Sequence, residues 1–115
     1  MPGMPCRIVH YVAADGSNAF DAWFRSQNPE VRARVQTRLD RIELGNFGDH
    51  RRIGRGVSEL RIDVGAGYRV YYGRDGKDIV LLSGGTKKRQ SRDVLGARAD
   101  WKSYRQEKRH ARQST

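Results

Sequence analysis

The chain encodes an α+β domain: a small, mainly antiparallel four-stranded sheet, an N-terminal helical hairpin on one face, and a C-terminal helix. Three observations lead there. Residues 28–45 carry a capped helical repeat, and residues 57–83 hold three short β-rich runs parted by glycine turns. The order strand, helix, helix, strand, strand, strand, helix packs helices against one face of an antiparallel sheet.

Arg7-Ile8-Val9-His10-Tyr11-Val12 is β-branched and aromatic, and predicts the first strand. Asp15-Gly16 marks a turn, and Ser17 or Asn18 can cap the next element. Phe20, Trp23 and Phe24, at i, i+3 and i+4, form an aromatic stripe that predicts core packing on a short helix. Asn28-Pro29-Glu30 starts a second helix with a capping side chain, a first-turn proline and an acid at the positive end of the dipole. Val31, Val35, Leu39 and Ile42 form its apolar face; Arg32, Arg34, Arg38 and Arg41 lie away from that seam, and Gly45 stops the helix.

Asn46 to Gly56 reads as a glycine-containing loop bearing His50, Arg51, Arg52 and Arg55. Strand two is expected at 57–64, alternating Leu60, Ile62 and Val64 with Glu59, Arg61 and Asp63. Gly65-Ala66-Gly67 is a tight connection to strand three, 68–74, and Asp75-Gly76 signals a hairpin. Strand four, 79–83, is apolar without alternation, as a central strand covered on both faces is. A last helix begins near Ser91 and uses Val94, Leu95, Ala97 and Trp101; residues 105–115 form a basic tail, too polar to pack and expected to be frayed or disordered. Residues 1–104 thus make one domain.

Composition narrows the function. One cysteine, Cys6, excludes an internal disulfide and fits a reducing compartment. No apolar run reaches membrane-spanning length, and the first five residues lack a signal region, so a soluble cytoplasmic protein without a membrane partner is expected. The net charge of +10 is polarised: residues 1–49 hold six basic and six acidic side chains, whereas residues 50–115 hold 17 Lys and Arg against 7 Asp and Glu. Such a distribution points to a polyanionic partner; the plainer alternative is a solvated basic surface.

The arginines at alternating strand positions point away from the aliphatic face. If Val64 pairs with Tyr68 across the short turn, Asp63 faces Arg69 and Arg61 faces Tyr71, all opposite Leu60, Ile62, Val70 and Tyr72. An Asp63–Arg69 surface ion pair is one reading. The other is an arginine oriented toward phosphate, with Arg61 beside it and Lys87, Lys88 and Arg89 arriving at the same rim.

Glu59-Leu60-Arg61-Ile62, Gly67-Tyr68-Arg69-Val70-Tyr71 and Gly84-Gly85-Thr86-Lys87-Lys88-Arg89-Gln90, in that order, resemble the RelE/ParE toxin superfamily, nearest its HigB-like, addiction-module killer branch. The element order matches too, so the resemblance covers nearly the whole chain. It implies a RelE-like, microbial-RNase-type fold and the toxin of a type II toxin–antitoxin module. In RNA-cleaving members it implies a ribosome-dependent endoribonuclease, an mRNA interferase that blocks translation. A cognate antitoxin, of helix-turn-helix type, is the implied partner in a hetero-oligomer, with ribosome and mRNA as targets. By position, Arg69 matches the family's catalytic arginine, and Arg61 and Lys88 match basic residues of the strand and loop. The reaction is attack of a ribose 2′-OH on the adjacent phosphorus with no metal or other cofactor.

The chain departs from the RelE pattern at Glu59, where that branch has a lysine, and near Val94, where it has a substrate-stacking tyrosine. Arginine hardly deprotonates, so a base is still needed. His50, Tyr71, Glu59 and Asp93 are the candidates. Their plainer readings are an exposed loop histidine, a cross-strand packing partner, an ion-pair partner and a helix-start acid. Arg51, Arg52, Lys87, Arg89 and Arg92 are the candidate RNA-binding cations. One cysteine and three scattered histidines give no metal-ligand spacing, Gly84-Gly85 lacks the rest of a nucleotide-binding fingerprint, and Ser83 has no evident base partner. Two rival functions are a non-catalytic inhibitor of a protein target, as gyrase-poisoning members of the superfamily are, and a degenerate toxin that only binds RNA.

Overall fold

A computed structural model describes residues 3–113; Met1 and Pro2, of the start that lacks a signal region, and Ser114 and Thr115, at the end of the basic tail, lie outside the described residues. The elements are β1 (Arg7–His10), α1 (Ala19–Arg25), α2 (Pro29–Glu43), β2 (His50–Gly54), β3 (Val57–Ile62), β4 (Tyr68–Asp75), β5 (Asp78–Thr86) and, after a single 3-10 turn at Lys87–Arg89, α3 (Gln90–Gln113). They build one five-stranded sheet in the order β1-β5-β4-β3-β2. Among the described residues only the β1–β5 pair is parallel; the rest of the sheet is antiparallel.

The helical hairpin forms as its caps predict. The Asn18 side chain accepts from the Asp21 N–H and that of Asn28 from the Val31 N–H, each satisfying an orphan donor. Val31, Val35, Leu39 and Ile42 are buried, with Phe20, against Leu60, Ile62, Val70, Tyr72, Ile79 and Leu81 on one sheet face. On the other face Val57, Tyr71, Val80 and Leu82 meet Ala97 and Trp101 of α3. The alternation of Leu60 and Ile62 against Glu59 and Arg61 therefore sorts the two faces as expected.

Four differences from the sequence expectation matter. The sheet has five strands rather than four, because the expected loop contains β2, paired with β3. That strand is an edge of exposed cations with no apolar alternation, the composition with which edge strands resist further pairing. Next, β3 ends at Ile62 and the connection spans residues 63–67, so Arg61 opposes Arg69, Glu59 opposes Tyr71, and Asp63 leaves the ladder. The expected pairing is out by two residues, which preserves the faces and changes the partners. Then β5 continues through Gly84 and Gly85 to Thr86, since tertiary contacts fill the space of the missing side chains. Finally, α3 does not end near Tyr104 but continues to Gln113. Tyr104 donates to Asp75 at 2.7 Å and Lys108 lies 3.5 Å from the same carboxylate, anchoring the start of the basic segment.

No helix among the described residues is long and apolar enough to cross a membrane.

Candidate functional site

Because Arg61 and Arg69 oppose each other directly, two like charges meet on one face, an arrangement that needs acids nearby. Glu59 and Asp49 supply them. The Asp49 carboxylate lies 3.8 Å from Arg61, and Glu59 lies 3.8 Å from the Nε of Arg69. Glu59 is completely buried; it accepts from Arg51 Nε at 2.7 Å and from Gln90 Nε2 at 2.7 Å. A charge withdrawn from water needs such partners. Arg69 is itself 7 % exposed, and its Nη1 donates to the Tyr68 carbonyl at 3.0 Å.

Arg61, Arg69 and Lys87 line a small open cleft of about 240 Å³, together with Asp49, Asp63 and Gly67. Gly67 has φ +88°, and its carbonyl accepts from the Lys87 N–H at 3.1 Å, which draws the Lys87 turn over the cleft. The opposite rim is fixed by Arg38, whose guanidinium donates to the carbonyls of Arg61, Phe47 and Asp49 at 2.6, 3.1 and 3.0 Å.

Beneath the guanidinium groups lies a polar floor. Tyr71 opposes both Glu59 and Ser83, and Arg69 opposes Gly85. The Cα of Gly85 abuts the Asp93 carboxylate so closely that a Cβ there would sit 2.0 Å from Oδ2. Arg69 Nε, Tyr71 Oη, Ser83 Oγ and Asp93 Oδ2 are buried without a hydrogen-bond partner. Burial, then the charges of Asp93 and Glu59, push the Tyr71 phenol far above its ordinary value, so it stays protonated. Burial also raises Asp93, against the opposing pull of Arg89 and Arg92.

The sequence-predicted residues therefore divide. Arg61, Arg69, Lys87, Tyr71, Glu59, Asp93 and Arg51 come together at one end of the sheet. Lys88 is exposed on the 3-10 turn and is not among the residues lining the cleft. Arg89 and Arg92 are exposed near Asp93. His50 opposes Leu60, on the face of the helical hairpin, where its ring lies 5.4 Å from Phe47. Arg52 lies at the opposite end of the sheet with Arg74 and Trp101. Sequence reasoning missed Gln90 and Arg38. A signal existed for Arg38: it stands three residues after Val35 and four before Ile42, on the flank of the buried face. Among the described residues no three His, Cys, Asp or Glu side chains group as metal ligands.

A basic α+β domain with a broadly RelE-like fold and a guanidinium-lined cleft at one sheet end is the class of protein these features define. More particularly, residues 22–115 match the family described as "Phage derived protein Gp49-like (DUF891)", and the chain belongs to that toxin–antitoxin-associated family. A relative in Haemophilus influenzae, described as an uncharacterized protein, is 41% identical over 81 residues, spanning 69% of this chain and 82% of its own. No solved structure matches.

Proposed function

We propose that the chain is the toxin of a type II toxin–antitoxin module and acts as a ribosome-dependent mRNA endoribonuclease. The observation that carries this reading is the convergence of Arg61, Arg69 and Lys87 on one open cleft. Arginine forks bind phosphate oxygens bidentately and stay charged, so they stabilise the charge that builds as a ribose 2′-oxygen attacks the adjacent phosphorus. The P–O5′ bond breaks, leaving a 2′,3′-cyclic phosphate, and the departing 5′-oxygen takes a proton from solvent water to become a 5′-hydroxyl. Asp93, whose carboxyl burial raises above its ordinary value, packs against Gly85 outside the cleft lining, so the 2′-OH proton passes to solvent water at the open cleft. The phenol of Tyr71 remains protonated and, being fully buried and outside the cleft lining, does not reach the scissile linkage. The family's association with toxin–antitoxin pairs supports a cognate antitoxin, of helix-turn-helix type, as the partner.

Mapping transcript 5′ ends after induction tests the reading. Wild-type chain stops translation and creates new ends within translated messages, and Arg69→Ala lowers cleavage by about 10²-fold or more, as loss of one transition-state donor does. Unaffected protein synthesis in the presence of folded wild-type chain overturns it. One observation favours a second reading, a non-cleaving inhibitor of a protein target such as DNA gyrase: Arg69 is buried and already faces Glu59, leaving little of it open to a phosphate. DNA-damage signalling with intact messages is its expected signature.

A further inference from the structure

A second cationic cleft, of about 610 Å³, lies at the other end of the sheet, between the tip of the β4–β5 hairpin with neighbouring parts of β2 and β3 and the last turns of α3. Six cations line it: Arg52, Arg74, Arg105, Lys108, Arg109 and Arg112. One carboxylate, Asp75, shares that lining, and it is occupied by the Tyr104 hydroxyl at 2.7 Å and Lys108 at 3.5 Å. The lining thus carries more cations than carboxylates, with Arg74 lying 4.8 Å over the Phe47 ring.

We propose that this cleft binds the sugar–phosphate backbone of a nucleic-acid strand, without reading its sequence. Five of the six cations are arginines, the side chain best shaped for phosphate. Arg105, Lys108 and Arg109 stand at i, i+3 and i+4 and so present one face of the helix. Every described residue from Arg105 onward is exposed, so this part of α3 does little to pack its own sheet. An acidic peptide is disfavoured as the occupant. Trp101 is only 5 % exposed and stacks on Tyr104 with ring centres 5.0 Å apart, so the aromatic surface of this cleft is largely taken up within the chain. Exposed ion pairs alone bind weakly, whereas each neutralised phosphate releases counterions. Val57 at this cleft and Arg61 at the other are four residues apart on β3, about 13 Å. Binding here thus stands independently of the cleavage reading, and Arg69→Ala leaves it intact.

The test is fluorescence anisotropy of the full chain with a labelled 2′-O-methyl RNA of about 20 nucleotides, which cannot be cleaved by 2′-OH attack, over about 50 to 250 mM NaCl. Arg105→Gln with Arg109→Gln weakens binding about tenfold and lowers the slope of log K against log salt by about 1.4, the loss of two single-strand phosphate contacts. Arg32→Gln with Arg34→Gln on α2 removes the same charge outside the cleft lining and changes affinity by less than about twofold. Thermal melts confirm that both variants fold, as surface substitutions do. Equal losses for the two pairs reduce the effect to net charge and overturn the proposal. It is also overturned if polyglutamate of equal charge displaces the RNA at equal concentration, which makes the cleft an acidic-protein site.

Discussion

Glu59 holds three segments with one carboxylate: Arg51 from the sheet edge, Arg69 from β4 and Gln90 from the first turn of α3. Removing one partner of a buried pair leaves an uncompensated charge, so Glu59→Ala is expected to lose about 3 kcal/mol in urea unfolding. Glu59→Gln, which keeps an acceptor, is expected to lose about 1 kcal/mol. Arg69→Ala is milder than Glu59→Ala, because Glu59 keeps its closer contacts to Arg51 and Gln90; loss of activity in that variant therefore reports on chemistry rather than unfolding. Asp93 gives a pH prediction. Burial raises its folded value above the ordinary 3.8, so its favourable contribution is complete below that pH and is lost as pH rises through the folded value. Asp93→Asn removes that loss: it is more stable than wild type at neutral pH, and the two urea midpoints converge in acid. The side-chain face of Arg61 and Arg69 was legible, because Leu60 and Ile62 fix the alternation. Their direct opposition was not, since it depends on how many residues the turn takes. Nor was the burial of Glu59, whose position alternates like an exposed one and whose closest partners, Gln90 and Arg51, come from other elements.

At the scale of elements, each sheet face accepts a tryptophan where a strand has a glycine. Gly84 of β5 receives Trp23, and Gly73 of β4 receives Trp101; a Cβ at either position would lie 2.2 or 2.4 Å from its ring. Strand propensity alone would make Gly→Ala stabilising here. Overpacking reverses the sign, so Gly84→Ala and Gly73→Ala are each expected to lose about 1 to 3 kcal/mol in urea unfolding. Gly96 of α3 is the control: a Cβ there meets nothing within 4 Å, and Gly96→Ala in a helix interior gains about 0.5 to 1 kcal/mol. The same contacts explain which elements could be read in advance. The second helix was legible from Asn28 to Gly45 because its caps and its seam are local. The second strand was not, because Arg51 and Arg52 signal an edge only once β3 lies beside them. The last three turns of α3 were missed for the same reason: Asp75, which pairs with Tyr104 and Lys108, comes from a hairpin some thirty residues away.

The whole molecule carries +10 on a fold with a radius of gyration of 13.9 Å. Two like charges that far apart in water repel by about 0.3 kcal/mol. The repulsion falls to roughly half in an unfolded chain about twice as large, so folding brings excess positive charge together against a gradient. Ion pairs act in the opposite direction, but several are exposed: Arg7–Asp78 and Arg25–Asp21 have arginine side chains 73% and 78% accessible, which limits what each contributes. Repulsion is therefore expected to win, and salt decides how strongly it is felt. At about 10 mM the screening length of about 30 Å exceeds the molecule's radius, so the cations act on one another across the fold; at about 150 mM it is about 8 Å and only neighbours interact. Added NaCl should thus stabilise the free chain. A rise in Tm of about 4 °C between these concentrations, corresponding to about 1 kcal/mol for a domain of this size, is the expected calorimetric outcome. A fall in Tm would mean that local pairs such as Arg51–Glu59 outweigh the net charge. A phosphate-rich partner removes the same repulsion by binding rather than by screening. The free chain should therefore gain most from added NaCl, and a nucleic-acid-bound chain should lose stability as salt dissociates the complex.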